Sequence, residues 1–562
     1  VRDKFYKLYG FDTETVYTVV HKLYSVQYYS ETDGGHILYD KREIKRWADS
    51  LHNAVLVAHN AVFDFAVTRH LWPDAKVFVN RGKPYKIVLK PDVFLVDLAR
   101  FFSGMSLARV GEAFGYKKLE KPPYLGKREP TPSERQYFEE YAINDAKITY
   151  FVFKYIMRDL VTRDIEGNYG VTRVFNTAPS YARYRWSTTT DVKVGKWYYD
   201  LENLYLGART ECIGYGKFDD VVVFDINSSY PHSAWRLVFP DTEKYVISND
   251  ISYEGAVYAE VLVKKDWLPP LAYKKEVNGE MKLIFPYGKL KKWFTTLELR
   301  YLQDNKMGEV HRIIKHRLFE GVDSPFRKFV EEHYNMKLRA EAEHNEAMRM
   351  YAKLMLNSFY GTWGLRIQSG QVRTTPPDDW NGWVEDNGIW IKRSTDKPKL
   401  APQSNLLIAS YITADARLYL HSLCKDDETV VYMDTDSIHT MNPEKYMKHV
   451  GQGLGKLKVE TDKSSENYYF RAKTYIVTHE DEKQFYIKGL PRREIIFSPD
   501  TLSVTGMGVT IRQNLFHPDL LLTENSLVRV VKLEFDHKRL LKDKIDPFHS
   551  NTMSEPRCVE DW

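Results

Sequence analysis

The sequence predicts a multidomain protein of mixed α/β and α+β class, and three observations carry that expectation. At 562 residues the chain is longer than one hydrophobic core serves, and ordinary domain sizes predict about three to five units. Residues 1–165 alternate short apolar strand-like runs with amphipathic helix-like runs. Further on, two β-branched runs, "DDVVVFDINSSYP" and "VVYMDTDSIHT", end in acidic and polar residues and flank a long helix-rich stretch.

Composition narrows the class. A hydrophobic content of 43%, rich in Tyr, Phe and Trp, excludes a disordered chain. No run of about 18 apolar residues predicts a membrane span, and "VRDKFYKLYGFDTET" carries charges where a secretory signal needs an apolar centre. Cys212, Cys424 and Cys558 are far apart, which predicts neither zinc nor a disulfide framework and suits a reducing, cytoplasmic compartment. The net charge of +5 is a small difference between 81 basic and 76 acidic residues, so local patches matter more than the total.

The elements follow in order. "VLVAH" and "KIVLK" read as strands, and "SERQYFEEYAINDAKITYFVFKYIMRDL" reads as a helix capped by Ser133. "FDTET" sets Asp12 and Glu14 on one face of a strand, "HNAVFDF" adds Asp64, and "YAINDA" puts Tyr141 and Asp145 on one helix face. Four acids and a tyrosine suit two metal ions and an oriented water for phosphodiester hydrolysis.

"DDVVVFDINSSYP" reads as a central strand ending at Asp225. The stretch "DSPFRKFVEEHYNMKLRAEAEHNEAMRMYAKLMLNSFYGTWG" reads as two antiparallel helices with a turn near "EHNE". On the second, Lys353, Asn357 and Tyr360 share a face, so a cation, an amide and an aromatic ring can meet a nucleoside triphosphate together. Residues 366–402 are rich in turn formers, and "EDNG" predicts a hairpin.

In "VVYMDTDSIHT", Asp434 and Asp436 stand two apart, which on a strand puts both charges on one face. Divalent cations such as Mg²⁺ relieve that repulsion, and Asp225 is the third carboxylate of such a site. An ordinary Asp-rich turn is the alternative for that string alone. The C-terminal tail mixes basic and apolar residues and carries no clear signal.

Taken together, "DINSSYP", "KLMLNSFYG" and "YMDTDS" resemble, in order, the palm and finger motifs of family B DNA polymerases. "DTE", "HNAVFD" and "YAIND" resemble that family's three proofreading exonuclease motifs. The resemblance implies an RNase H-like 3′→5′ exonuclease domain (1–165) followed by a right hand: palm (166–236 and 403–505), fingers (332–365) and thumb (506–562). Insertions at 237–331 and 366–402 resemble those of protein-primed phage polymerases of the phi29 type, where the first meets a terminal protein and the second aids processivity and strand displacement.

By that resemblance, Asp225 and Asp434 hold the polymerase metals with Asp436 beside them, and Asp12, Glu14, Asp64 and Asp145 hold the exonuclease metals while Tyr141 orients the water. The metals are Mg²⁺, two per site, with Mn²⁺ as a substitute. Lys353 grips the triphosphate, Asn357 supports the nucleotide, Lys337 and Tyr360 join the nucleotide-binding set, and Tyr230 lies under the sugar and excludes a ribose 2′-hydroxyl. Asn60 and Phe63 touch the single-stranded 3′ end; Lys473, Tyr475 (in "FRAKTYI") and Lys488 contact primer or template backbone. Tyr205 opens "YLGARTE", which only partly matches the family's Tyr-x-Gly-Gly linker because Ala208 replaces the second glycine; Ser229 also stands where the family commonly has Leu.

The implied partners are primer-template DNA, deoxynucleoside triphosphates, a terminal protein primer and a single-stranded DNA-binding protein, for a monomer in the cytoplasm of a host cell if the genome is viral. Two other readings stay open: a polymerase that starts chains without a primer, and an inactive relative serving as a DNA-binding scaffold. The acids at every motif position argue against the second.

Overall fold

The computed structural model describes residues 4–561 apart from 18–20, 81–82, 103, 191–193, 196–200, 202, 278, 374–375, 378, 387–388, 394–397, 465, 480–481, 488–494, 499–500 and 510–523. The N-terminal part builds β1 (Tyr6–Tyr17), β2 (His21–Ser30), β3 (Gly34–Leu38), α1 (Lys41–Ser50), β4 (Ala54–Ala58), α2 (Ala61–Thr68), β5 (Lys76–Asn80), β6 (Lys83–Lys90), β7 (Val93–Asp97), α3 (Leu107–Ala113) and α4 (Arg135–Ile156). Its sheet runs β5-β6-β7-β4-β1-β2-β3, with β4 parallel to both neighbours.

β4 is buried on both faces, as a continuous apolar run demands. Val55 and Val57 pack with Ile148 and Phe153 of α4, whereas Leu56 and Ala58 pack with Ile44 of α1 and Phe65 of α2. The predicted Ser133 cap is not used. The helix starts at Arg135 because the Glu134 carboxylate accepts the Thr131 amide at 2.8 Å and pairs with Arg128 at 2.7 Å, closing the preceding turn.

A small hairpin, β8 (Val161–Arg163) and β9 (Tyr169–Val171), then α5 (Ala178–Thr189), leads to β10 (Thr210–Cys212), β11 (Gly214–Phe218), β12 (Val221–Ile226) and α6 (Ser229–Arg236). The next segment forms β13 (Val238–Val246), β14 (Glu254–Val263), β15 (Tyr273–Val277), β16 (Glu280–Ile284), β17 (Gly288–Thr295), α7 (Thr296–Asp304) and β18 (Gly308–Asp323). Four of these strands make their own sheet, β13-β18-β14-β17, and β15 pairs with β16.

The two expected helices are α8 (Arg327–Ala342) and α9 (Glu346–Ser358); His344 at φ 53° and the Asn345 cap make the turn between them. β19 (Arg366–Ile367), β20 (Ser369–Arg373), β21 (Trp383–Asp386), β22 (Ile389–Arg393) and β23 (Lys399–Leu400) follow. β21 and β22 form the hairpin that "EDNG" predicts; its two central residues, 387–388, lie outside the described residues.

No local signal announced where that hairpin docks. β20 pairs antiparallel with β5, Val372 opposite Val77, so β21-β22-β20 extends the N-terminal sheet, which with β8 and β9 attached through β1 has twelve strands. Val372 and Ile391 are buried in the same cluster as Val77 and Val79.

The remaining chain supplies α10 (Leu406–Cys424), β24 (Val430–Asp434), β25 (Ser437–Thr440), α11 (Glu444–Met447), β26 (Leu457–Ser464), β27 (Asn467–Arg471), β28 (Thr474–His479), β29 (Glu482–Ile487), β30 (Ile495–Ser498), β31 (Thr501–Val509), β32 (Glu524–Lys532), β33 (Leu540–Leu541) and β34 (Asn551–Glu555). A five-stranded sheet, β10-β24-β25-β12-β26, carries the second acidic centre. The C-terminal tail returns to this region, with β34 paired to β11. No described helix is long and apolar enough to cross a membrane.

Candidate active sites

The first centre is assembled by one strand and one helix. Asp12 and Glu14 project from β1, and α4 crosses that strand closely enough for Asp145 to join them. Gly10 permits the approach, because a Cβ there would collide with the carbonyl oxygen of Ala146. Ligand oxygens of Asp12, Glu14 and Asp145 lie within 4.8 Å of one another.

Like charges this close resist ionisation. Burial first, then Glu14, Asp64 and Asp145, raises Asp12 well above the ordinary carboxylate range. Burial and then Asp145 push Glu14 up to about 8. Burial also raises Asp145, against the opposing pull of Lys118, whose ammonium pairs with Asp145 Oδ2.

Asp64 belongs to this neighbourhood but not to the close group. Its Oδ1 accepts the Thr13 hydroxyl at 2.7 Å, and burial, opposed by that bond, lifts it to about 7. The four-acid set expected from the sequence is therefore three converging acids with a fourth held behind them. Tyr141 stands beside Asp145 with Lys118 Nζ 4.7 Å from its ring centre, and burial and then the acids raise its hydroxyl.

Asn60 sits at φ 69° at the start of α2, its amide donating to Asp97 Oδ1 at 2.9 Å, and Phe63 packs edge-on against His21 at 5.4 Å. Sequence reading missed Gln27, Asp97 and Lys118. Gln27 lies opposite Asp12 in the β1–β2 register and donates to its Oδ2 at 2.8 Å; a buried amide in the aromatic run "YSVQYYS" was its signal. Lys118 had none, since only the fold brings it to Asp145.

The donor set suits a hard divalent cation. Three carboxylates converge, and Asp145 Oδ1 is buried without receiving a hydrogen bond.

The second centre is built across strands. β24 ends at Asp434, Thr435 turns at φ 62°, and Asp436 donates its amide to the Asp434 carbonyl oxygen at 2.6 Å before β25 begins. The two acids are therefore not neighbours on one strand face, as their spacing predicts; a tight turn separates them. β25 lies between β24 and β12, and Ser437 pairs with Asp434 on one side and Asp225 on the other. Two strand spacings leave roughly 9–10 Å between those backbones. The carboxylates face one region without crowding as the first set does.

Each strand acid has a lysine. Lys473 Nζ lies 3.0 Å from Asp434 Oδ1, and Lys458 Nζ lies 3.6 Å from Asp225 Oδ2. Thr210 of β10 also donates to Asp434 Oδ1, at 2.9 Å. Burial, partly offset by Lys458, moves Asp225 to about 6; burial, then Asp225 and Asp434, lifts Asp436 to about 7.

Above this sheet edge opens a cavity of about 550 Å³ lined by Asp225, Tyr230, Lys337, Lys353, Asn357, Tyr360, Asp436 and Lys458. α8 brings Lys337, α9 brings Lys353 and Asn357, and α6 brings Tyr230, whose ring stacks on Tyr360 at 4.3 Å. Lys353 and Asn357 share a face of α9 as expected, whereas Tyr360 lies in a 3-10 turn two residues past its end; all three line one cavity.

Three expected contact residues are placed as follows. Tyr475 stands in an aromatic cluster under β24, 4.6 Å from the rings of Tyr432 and Tyr486. Tyr205 packs against Gly364, where a Cβ would run into its ring, so the linker is fitted to the end of the α9 segment. Lys488 lies outside the described residues. The linker with Ala208 is held by buried Arg417, which donates to the carbonyl oxygens of Leu206 and Gly207 at 2.9 and 2.8 Å and pairs with Glu298 of α7 at 3.1 Å.

The fold is similar to that of solved phi29 DNA polymerase. The form complexed with primer-template DNA and incoming nucleotide substrates matches with a TM-score of 0.69 at 18% identity, covering 94% of this chain and 100% of that one. The form complexed with single-stranded DNA gives 0.67 at 18% identity, covering 93% and 99%. Among curated proteins, a probable DNA polymerase of Podospora anserina is 25% identical over 347 residues, 54% of this chain and 28% of that one. The DNA polymerase of Bacillus phage phi29 is 25% identical over 300 residues, 50% of this chain and 48% of that one. The chain thus spans less than half the length of these curated relatives. The family model for DNA polymerase type B, organellar and viral, matches residues 129–450, more than half of the chain. The chain belongs to the organellar and viral type B DNA polymerases, as the order of its acidic motifs and its phi29-like fold agree.

Proposed function

We propose that the chain is a DNA-directed DNA polymerase with a 3′→5′ proofreading exonuclease, copying a viral or plasmid genome by protein-primed, strand-displacing synthesis. The observation that carries this reading is the pairing, in one polymerase-family fold, of a lysine-lined cavity at Asp225 and Asp436 with a separate triad of Asp12, Glu14 and Asp145. That a phi29 polymerase of this fold was solved with primer-template DNA and incoming nucleotides supports the same ligands here.

In the polymerase centre the primer 3′-hydroxyl attacks the α-phosphate in line and pyrophosphate leaves. Lys353 and Lys337 hold the triphosphate, Asn357 braces the nucleotide, and the Tyr230 ring on Tyr360 blocks a 2′-hydroxyl. In the exonuclease centre Asn60 and Phe63 hold the frayed 3′ end, and Tyr141 orients the water. When bound, a divalent cation, Mg²⁺ or Mn²⁺, would be held by Asp225 and Asp434 at one centre and by Asp12, Glu14 and Asp145 at the other, and would supply charge neutralisation to the reacting phosphate.

The domain division keeps the expected exonuclease 1–165, palm 166–236 and 403–505, fingers 332–365, thumb 506–562, and insertions 237–331 and 366–402, with three adjustments. The fingers begin with α8 at Arg327, the thumb boundary moves off 506 because that residue lies inside β31, and β34 goes with the palm because it pairs with β11. A terminal protein primes through the first insertion, the β21–β22 hairpin parts the downstream duplex, and a single-stranded DNA-binding protein takes the displaced strand. The protein acts as a monomer in the host cytoplasm.

The test is extension of a singly primed single-stranded circle with Mg²⁺ and four deoxynucleotides, beside Asp434→Ala. Products longer than the circle, absent from the control, are expected. Products stopping at one circle would remove strand displacement, and no extension would leave a DNA-binding scaffold. Synthesis without primer or terminal protein would favour the primer-independent reading.

A further inference from the structure

The polymerase centre contains a cation that its reading does not use. Lys458 stands on β26 directly opposite Asp225 of β12 in the antiparallel register. Cross-strand partners share a face, so the two side chains meet by construction. The ammonium lies 3.6 Å from Asp225 Oδ2 and also pairs with Glu460, two residues along the same strand.

Lys458 also lines the cavity that Lys337 of α8 and Lys353 of α9 enter from the other wall. Lys337 feels the other two: it is pushed down first by burial and then by Lys353 and Lys458, against the pull of Glu341. A cavity lined by these three lysines and by Arg349 suits a polyanion. On the sheet side, Lys473 rests on Asp434 and Lys458 on Asp225, and Lys458 is the one of the two that lines the cavity.

We propose that Lys458 is the resident counter-ion of Asp225, a positioning residue that competes with a divalent cation for that carboxylate and gives it up when a triphosphate offers its ammonium another partner. The inference rests on the polymerase reading of this centre. The exchange ties divalent-ion affinity at Asp225 to the presence of nucleotide. Glu460 keeps the ammonium within reach of both positions.

The experiment uses the full chain with the first centre silenced by Asp12→Ala and Asp145→Ala, so that Mn²⁺ binding, read by electron paramagnetic resonance, reports the second. Without nucleotide, Lys458→Met is expected to bind Mn²⁺ roughly two- to fivefold more tightly, the scale of a half-exposed ion pair. The gain in Mn²⁺ affinity on adding a deoxynucleoside triphosphate should shrink, and Lys458→Arg should keep the parent behaviour. A merely structural lysine would not tighten metal binding when removed.

Unchanged or weaker Mn²⁺ binding in Lys458→Met overturns the proposal, as does tightening that Lys458→Arg shares. Asp225→Asn separates the two levels. If it leaves Mn²⁺ binding intact, the reading of the centre fails; if it abolishes binding while Lys458→Met changes nothing, only the role of Lys458 fails.

Discussion

At the first acidic centre, three carboxylates from a strand and the helix crossing it meet within 4.8 Å, and a lysine pairs with one of them. At the second, Asp225 and Asp434 stand on either side of β25, each against its own lysine, with Asp436 in the turn. The first arrangement concentrates negative charge in a buried place and raises proton affinity there. The second spreads the charge along an open sheet edge and faces it with cations. A site whose carboxylates converge on one point suits hydrolysis of a strand end. One with lysines opposite the acids suits a substrate that brings its own negative charge.

The sharpest way to break this comparison is to remove one acid from each centre. Asp434→Ala should reduce primer extension by roughly 10³-fold or more while single-strand hydrolysis persists, and Asp12→Ala should do the reverse. If either change removed both activities, the centres would not be independent. Next in size is sugar selection. Tyr230→Val should admit ribonucleotides roughly 10- to 100-fold more readily in a competition assay and leave hydrolysis untouched.

The crowding itself predicts a pH effect. Asp12, Glu14, Asp64 and Asp145 have raised proton affinities in the folded chain, so folding takes up protons at this centre. Its contribution to stability is full below about pH 4, the ordinary carboxylate value, and is lost as pH rises through about 7 and 8, where Asp64 and Glu14 titrate. Chelation should therefore lower the melting temperature more at pH 8.5 than at pH 6, and Glu14→Gln should reduce that difference by about 5 °C or less. Equal losses at both pH values would count against the crowded triad. The smallest effect concerns the join between the centres: Gly364→Ala, pressed on Tyr205, should cost about 1–3 kcal/mol in denaturant titration and alter the ratio of hydrolysis to extension.

The legibility of the two centres differed for a physical reason. Asp12 with Glu14, and Tyr141 with Asp145, lie on regular elements whose periods place side chains, so their faces could be read from spacing. Lys353 and Asn357 were legible for the same reason, while Tyr360 reaches the cavity from the 3-10 turn past the end of α9. The period of a strand failed at Asp434 and Asp436 because Thr435 leaves the strand conformation. Lys118, Asp97 and Lys458 were not legible, since each gains its role from a partner distant in sequence. Nor was the docking of β20 on β5, because strand pairing between remote segments leaves no local period.

That docking bears on how the chain is made. β5 is complete at residue 80, yet its partner ends at residue 373, so the ribosome must add nearly 300 residues before the sheet can close. At usual translation rates the outer edge of β5 waits roughly 15–60 s. An unpaired edge with Val77 and Val79 beside it is a template for adventitious strand addition. The yield of active protein should therefore depend on synthesis rate and on chaperones shielding that edge, and the nascent N-terminal part should be most prone to aggregate before the hairpin emerges.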